Sequence, residues 1–194
     1  MESEIEIKYK LIFYSDWHCG SGLAAGADMD ALVVKDKNGL PYVPGKTLKG
    51  LIREAVIDIL YLIDGERGTL NDKKEAFENT FGYMDDNNDR TRQGTVFFTN
   101  ATFPEERAEL VLTNHAQKYL FRTQAFTAIQ KDGIVDEHSL RRLETVIPCE
   151  LEGKIISVDC RIQQEIFEGM KMIKRLGVCR IRGLGRCQFI IDPE

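Results

Sequence analysis

The stretch Gly39-Leu40-Pro41-Tyr42-Val43-Pro44-Gly45-Lys46-Thr47-Leu48-Lys49-Gly50-Leu51-Ile52-Arg53 sets the reading of this chain. Apolar side chains recur at Leu48, Leu51, Ile52, Ala55, Val56, Ile59 and Leu60, the spacing of one helix face. That predicts a long amphipathic helix over Lys46–Ile63, entered through the Pro44-Gly45 bend. The free N–H groups of its first turn, its dipole, the Thr47 hydroxyl and the ammonium groups of Lys46 and Lys49 converge there, as at a phosphate site. Gly39 and Gly45 are one residue too far apart for a Gly-x-x-x-x-Gly-Lys-[Ser/Thr] nucleotide loop. The two prolines between them also remove amides such a cradle needs, so an ATPase is excluded.

Before this stretch, residues 3–14 alternate Ile5, Ile7, Tyr9, Leu11 and Phe13 against Glu4, Glu6, Lys8 and Lys10, a half-buried strand. A glycine-rich loop, Trp17–Gly26, follows, and then a short hairpin of Ala31–Asp36 with Leu40–Val43, turned at Lys37-Asn38-Gly39. After it, Lys73–Thr80 reads as a short helix, and Gly94–Phe103, Arg141–Ile147 and Lys154–Ile162 as strands. Gln163–Leu176 carries a second helical stripe, and Cys187–Ile191 ends the pattern as a strand. Residues 84–94 and 123–138 are polar and irregular, excursions from the core. The order of elements predicts a single α+β domain over 1–194, a ferredoxin-like antiparallel sheet with helices on one face and inserted loops.

The other informative segment is Lys171–Arg186, with six cations, three glycines and no carboxylate in a protein of net charge −5. Cations attract a polyanion, and glycine lets backbone N–H groups approach it. Two glycine-flanked basic segments far apart in sequence therefore predict one groove for a ribose–phosphate strand, with Lys46 and Arg182 on the same side of the molecule. Lys46, Thr47, Lys49, Arg53, Arg180, Arg182 and Arg186 would neutralise phosphates, while Gly20, Gly22, Gly183 and Gly185 would permit close backbone approach.

The remaining composition narrows the class. No apolar run approaches the roughly 20 residues that cross a bilayer, and the alternating charged N-terminus is unlike a signal peptide. Five cysteines without a Cys-x-x-Cys pair argue against a disulfide framework or zinc site and for a cytoplasmic protein. The acidic run Asp85–Asp89 has Arg90 where a calcium loop needs glycine and Val96 where it needs glutamate, and reads as a solvated loop. His115 and His138 lack partners at ligand spacing.

Residues 30–53 resemble the signature of the CRISPR-associated RAMP superfamily, most closely the backbone subunits of type III (Csm/Cmr) effector complexes. His18-Cys-Gly20-Ser21-Gly22 is similar to the family's His-x-Gly-x-Gly loop. Phe81-Gly82 with Gly94-Thr-Val-Phe-Phe, Arg122-Thr with Leu143-Glu144-Thr-Val146-Ile-Pro148, and Arg180-Ile-Arg182-Gly183-Leu-Gly185-Arg186 resemble its later segments in the family's order. The resemblance implies an RRM-like palm, binding of a CRISPR guide RNA and a paired target RNA, and assembly with other RAMP subunits and copies of itself. On this likeness His18, Gly20, Ser21, Gly22 and Arg122 join the RNA-binding set. It further implies target cleavage through Asp30, six residues before Asp36, with a divalent cation (Mg or Mn), and a thumb hairpin for which residues 123–138 are the candidate.

The chemistry of such cleavage sets limits. Attack by a ribose 2′-hydroxyl needs that hydroxyl deprotonated, the phosphorane charge offset and the leaving oxygen protonated. One ionised carboxylate can hold a divalent ion or orient the hydroxyl, but not supply everything. His18 could act as a second acid or base, and is also the residue a metal-independent guide-processing ribonuclease would use. A non-catalytic RNA-binding scaffold is the other alternative.

Overall fold

In the computed structural model, residues 5–23, 29–62, 70–85, 90–127 and 139–191 are described. The central sheet has four strands: β1 (Ile5–Phe13), β4 (Phe97–Phe98), β7 (Glu150–Val158) and β8 (Cys187–Ile191). Their order is β4-β7-β1-β8, with every neighbour antiparallel. Helices α1 (Gly45–Leu62) and α4 (Gln163–Met172) connect them, so the path β1-α1-β4-β7-α4-β8 is ferredoxin-like.

Burial explains which face the helices take. Ile7, Tyr9, Leu11 and Phe13 all point to one side of β1 and are at most 3 % exposed. Leu48, Ile52 and Val56 of α1 and Ile166 and Met170 of α4 are completely buried against them. The two helices approach closely because Gly169 has no side chain; a Cβ there would lie 3.3 Å from that of Ala55. Among the described residues no helix is long and apolar enough to cross a membrane.

Other elements extend this ferredoxin-like unit. Helix α2 (Leu70–Phe81) runs into a hairpin of β2 (Gly82–Asp85) and β3 (Arg90–Gln93), and α3 (Glu105–Thr113) follows β4. A second hairpin, β5 (Phe121–Phe126) with β6 (Arg141–Val146), is tied to the loop after β1 by the bridges Trp17↔Val146 and Ala31↔Leu143.

Several sequence expectations are corrected. The Gly94–Phe103 strand shrinks to Phe97–Phe98 because the segment changes partner. Asn100 turns aside to accept the Gly45 N–H, and Ala101 pairs with Val43. The strand expected at Lys154–Ile162 instead spans Glu150–Val158 and runs straight through Gly153. That glycine is a packing residue, since a Cβ there would lie 2.4 Å from the Tyr9 hydroxyl. The helix expected to reach Leu176 stops at Met172, and Arg175 instead pairs with Arg186. The turn at Lys37–Gly39 forms, with Asp36 Oδ1 accepting the N–H groups of Asn38 and Leu40. The arms pair at Lys35↔Pro41 and no further, because Val33 pairs with Gly20 and Val43 with Ala101. The segments expected to be irregular contain strand: residues 84–85 and 90–93 belong to the β2–β3 hairpin, and 86–89, most of the acidic run, lie outside the described residues. Residues 123–126 belong to β5, while 128–138, the rest of the thumb candidate, lie outside the described residues. Helix α3 had no apolar stripe to betray it and buries no residue, although Pro104 followed by Glu105-Glu106 is a helix-start signal.

Tyr9 offers a test of the core. Its hydroxyl is buried with no hydrogen-bond partner among the described residues, and burial pushes the phenol well above its usual range. An unsatisfied buried hydroxyl costs free energy that phenylalanine would not. Tyr9→Phe should therefore leave stability unchanged or raise it by up to about 1 kcal/mol in denaturant titration. A loss of that size would reveal a partner for the hydroxyl.

Candidate nucleic-acid interface

The two basic segments do meet. Pro44, Lys46, Thr47 and Gly50 of the helix entry and Leu176, Gly177, Val178 and Arg180 of the C-terminal loop line one hollow of about 420 Å³. The His18-Cys19-Gly20 segment is part of its wall, and Glu54 is the one carboxylate there. The loop is held by backbone geometry. Gly177 (φ 95°) and Gly185 (φ 70°) adopt left-handed conformations in which a Cβ would run into the His18 and Leu176 carbonyls, respectively. Val178 N–H donates to the His18 carbonyl, Gly185 N–H to that of Asp16, and Leu176 N–H to that of Gly185. Between these pins, Arg180–Arg182 forms one 3-10 turn flanked by left-handed Cys179 and Gly183, with both arginines exposed.

The predicted contacts separate into groups. Lys46 and Thr47 are exposed and face the hollow with Arg180. Lys49 and Arg53 occupy another flank of α1: Arg53 lies over the Phe77 ring at 5.4 Å, toward α2. Burial and the neighbouring Arg53 charge lower the Lys49 pKa. Arg182 reaches the β5–β6 hairpin, its guanidinium 5.3 Å from the Phe126 ring. Arg186, exposed just before β8, pairs its backbone with Arg175. Arg122 is tied to Asp16 at 3.2 Å, an ion pair completed by Gln124.

The helix amides contribute less than expected. Asn100 takes the Gly45 N–H, and the Pro44 carbonyl takes those of Thr47 and Leu48. Attraction at this end of α1 therefore rests on the Lys46 ammonium and the Thr47 hydroxyl. Three further expectations change. His18 is 2 % exposed, and its Nδ1 lies 2.6 Å from the Glu144 carbonyl, so it is a core pin rather than a loop histidine open to phosphate. The Ser21 hydroxyl is spent within its own loop on Leu32 and Leu23. Gly185 is buried and serves chain packing, whereas Gly20, Gly22 and Gly183 are exposed.

Asp30 is exposed beside the turn end of the β5–β6 ladder, where Arg142 pairs with Ala125. It bonds β6 twice: its N–H donates to the Arg142 carbonyl at 3.0 Å, and its Oδ2 accepts the Arg142 N–H at 2.6 Å. That clamp leaves Oδ1 for a ligand. No group of three or more His, Cys, Asp or Glu gathers among the described residues. Asp28 lies outside them. A divalent cation at Asp30 would have one carboxylate from the described residues, and phosphate oxygens and water could fill the rest of its shell, a coordination magnesium accepts.

Sequence reasoning missed the part played by Glu144. It quoted the residue without a role, yet its backbone and side chain join the loop after β1 to β6. Phe126 was missed as well. A charge inside a strand pattern and an aromatic in a polar segment carry no sequence signal of their partners.

A family model described as the RAMP superfamily matches residues 10–186. No curated protein matches the sequence significantly. Among solved structures, the chain is similar to one from a type III-B Cmr-beta complex in the apo state, with TM-score 0.67, 11% identity and 98% of each chain covered. It is also similar to a chain of Cmr-beta bound to cognate target RNA, with TM-score 0.64, 11% identity and 96% and 97% covered. A third likeness is to a chain of a type IV-B CRISPR complex, with TM-score 0.61, 11% identity and 97% and 90% covered.

Proposed function

The chain belongs to the RAMP superfamily, and on that premise we propose that it is a backbone subunit of a type III CRISPR effector complex. In this reading it holds the guide RNA in the Lys46–Arg180 hollow and cuts the paired target RNA at Asp30. It assembles with other RAMP subunits and with copies of itself. The observation that carries the reading is the convergence of two distant glycine-flanked basic segments on one hollow. Asp30 belongs to the same neighbourhood: Gly20, in the wall of the hollow, pairs with Val33, three residues further along the chain.

The geometry supports a division of roles among these residues. Lys46, Thr47 and Arg180 hold phosphates in the hollow, and Arg182 on its flank draws the strand toward the hairpin. Asp30, anchored by Oδ2, directs Oδ1 at the 2′-hydroxyl and orients or deprotonates it. A divalent cation held by Asp30 and the RNA phosphates would offset the charge at the scissile phosphate, and a water on it would protonate the leaving 5′-oxygen. The buried, already bonded His18 ring gives no support to the guide-processing alternative with a histidine base.

Binding is tested by salt titration with single-stranded RNA. Log affinity should fall linearly with log salt. Lys46→Ala and Arg180→Ala should each reduce the slope by about 1, with similar weakening for any RNA sequence. Lys49→Ala, on the other flank of α1, should change it less. A flat salt response, or equal losses for all three variants, would remove the hollow from the reading.

A further inference from the structure

We infer that Glu144 is a positioning residue for Asp30, an inference that rests on the cleavage reading above. Glu144 on β6 joins four points of the molecule. Its Oε1 meets Lys35 Nζ at 2.8 Å and its Oε2 accepts the Val33 N–H at 2.9 Å. Its N–H donates to the Ala31 carbonyl at 3.1 Å, and its own carbonyl lies 2.6 Å from His18 Nδ1. Ala31, Val33 and Lys35 directly follow Asp30, so the side chain fastens the Asp30 segment from its C-terminal side. Asp30 itself fastens the same segment to Arg142.

The two carboxylates are set for different tasks. Asp30 is exposed with one oxygen committed, and can meet a substrate. Glu144 has a side chain only 12% exposed and both oxygens committed, one to an ammonium and one to a backbone amide. It cannot approach RNA or a cation without giving up those bonds. Lys35 extends the brace, since its ammonium also sits 4.0 Å from the Phe121 ring on β5. The Asp30 segment is thus held by groups from both strands of the hairpin, and the direction of Oδ1 depends on that hold. Carboxylates that orient a reacting group from behind commonly contribute 10- to 100-fold.

The test uses the intact effector complex with its guide RNA, read by single-turnover cleavage of paired RNA. Glu144→Gln puts an amide against Lys35 and should lower the maximal rate about 10- to 100-fold. The target concentration at half-maximal rate should stay within about twofold. Independently of activity, hydrogen–deuterium exchange should quicken at the Val33 and Arg142 amides. Lys35→Gln, which spares the Val33 bond, should show the same pattern more weakly, and it carries the test where Glu144→Gln does not assemble. Full-rate cleavage by Glu144→Gln beside an inactive Asp30→Ala complex would overturn the positioning role and leave the cleavage reading intact. Loss of guide binding in step with rate would make Glu144 merely structural. Cleavage by Asp30→Ala at the wild-type rate would remove the premise itself.

Discussion

Asp30→Ala in the assembled, guide-loaded complex should cut paired RNA roughly 10²- to 10⁴-fold more slowly at this subunit's position, the contribution expected of a positioned acid–base group. Guide affinity should hold, because an anion contributes nothing to phosphate binding and Lys46 and Arg180 are untouched. Alanine also deletes the acceptor for the Arg142 N–H. Asp30→Asn separates the two effects: its amide oxygen can still accept that bond, but the charge is gone. If charge and proton transfer are what matter, asparagine is as inactive as alanine while the Arg142 amide stays protected from exchange. Cleavage at an undiminished rate in both variants would make the subunit a scaffold.

The largest effect on folding is expected at Gly185. An alanine Cβ there would stand 1.9 Å from the Leu176 carbonyl oxygen, and the residue holds φ 70°. The obstacle is backbone, fixed by the Leu176 N–H bond to the Gly185 carbonyl and the Gly185 N–H bond to the Asp16 carbonyl. No rotamer change relieves it. Gly185→Ala should cost about 3 kcal/mol or more, from the left-handed strain together with the displaced pairing. That corresponds to a fall in Tm of roughly 6–12 °C for a domain of this size. Gly183→Ala is the contrast. Its φ of 92° is equally left-handed, but nothing lies within 4 Å of a Cβ there, so only the conformational cost of about 1 kcal/mol remains. Equal melting temperatures for the two variants would show that the loop opens freely at Leu176.

The glycines of this loop mark where reading from sequence reaches its end. Gly183 and Gly185 look alike in the string Arg182-Gly183-Leu-Gly185-Arg186, and both read as serving an approaching phosphate. One faces solvent and the other faces Leu176, a difference set by the pairing of the loop's two ends, Arg175 with Arg186. Lys46 and Lys49 separate for a similar reason. Three residues apart, they lie on different flanks of α1, and only the position of the C-terminal loop decides which flank is the hollow.

Alternation along β1 and the stripe of α1 were legible because each side chain's burial there follows from its own element's period. The ferredoxin-like order and the two basic segments followed from such local patterns and from the family motifs. The truncation of β4 and the inward turn of His18 followed from partners brought in from elsewhere in the chain. So did the commitment of Glu144 and the stacking of Arg182 on Phe126. Periodicity records which way a residue points relative to its neighbours in sequence. What it meets there depends on contacts between segments as far apart as Tyr14 and Gln188, 174 residues, and those contacts exist only once the chain has closed on itself.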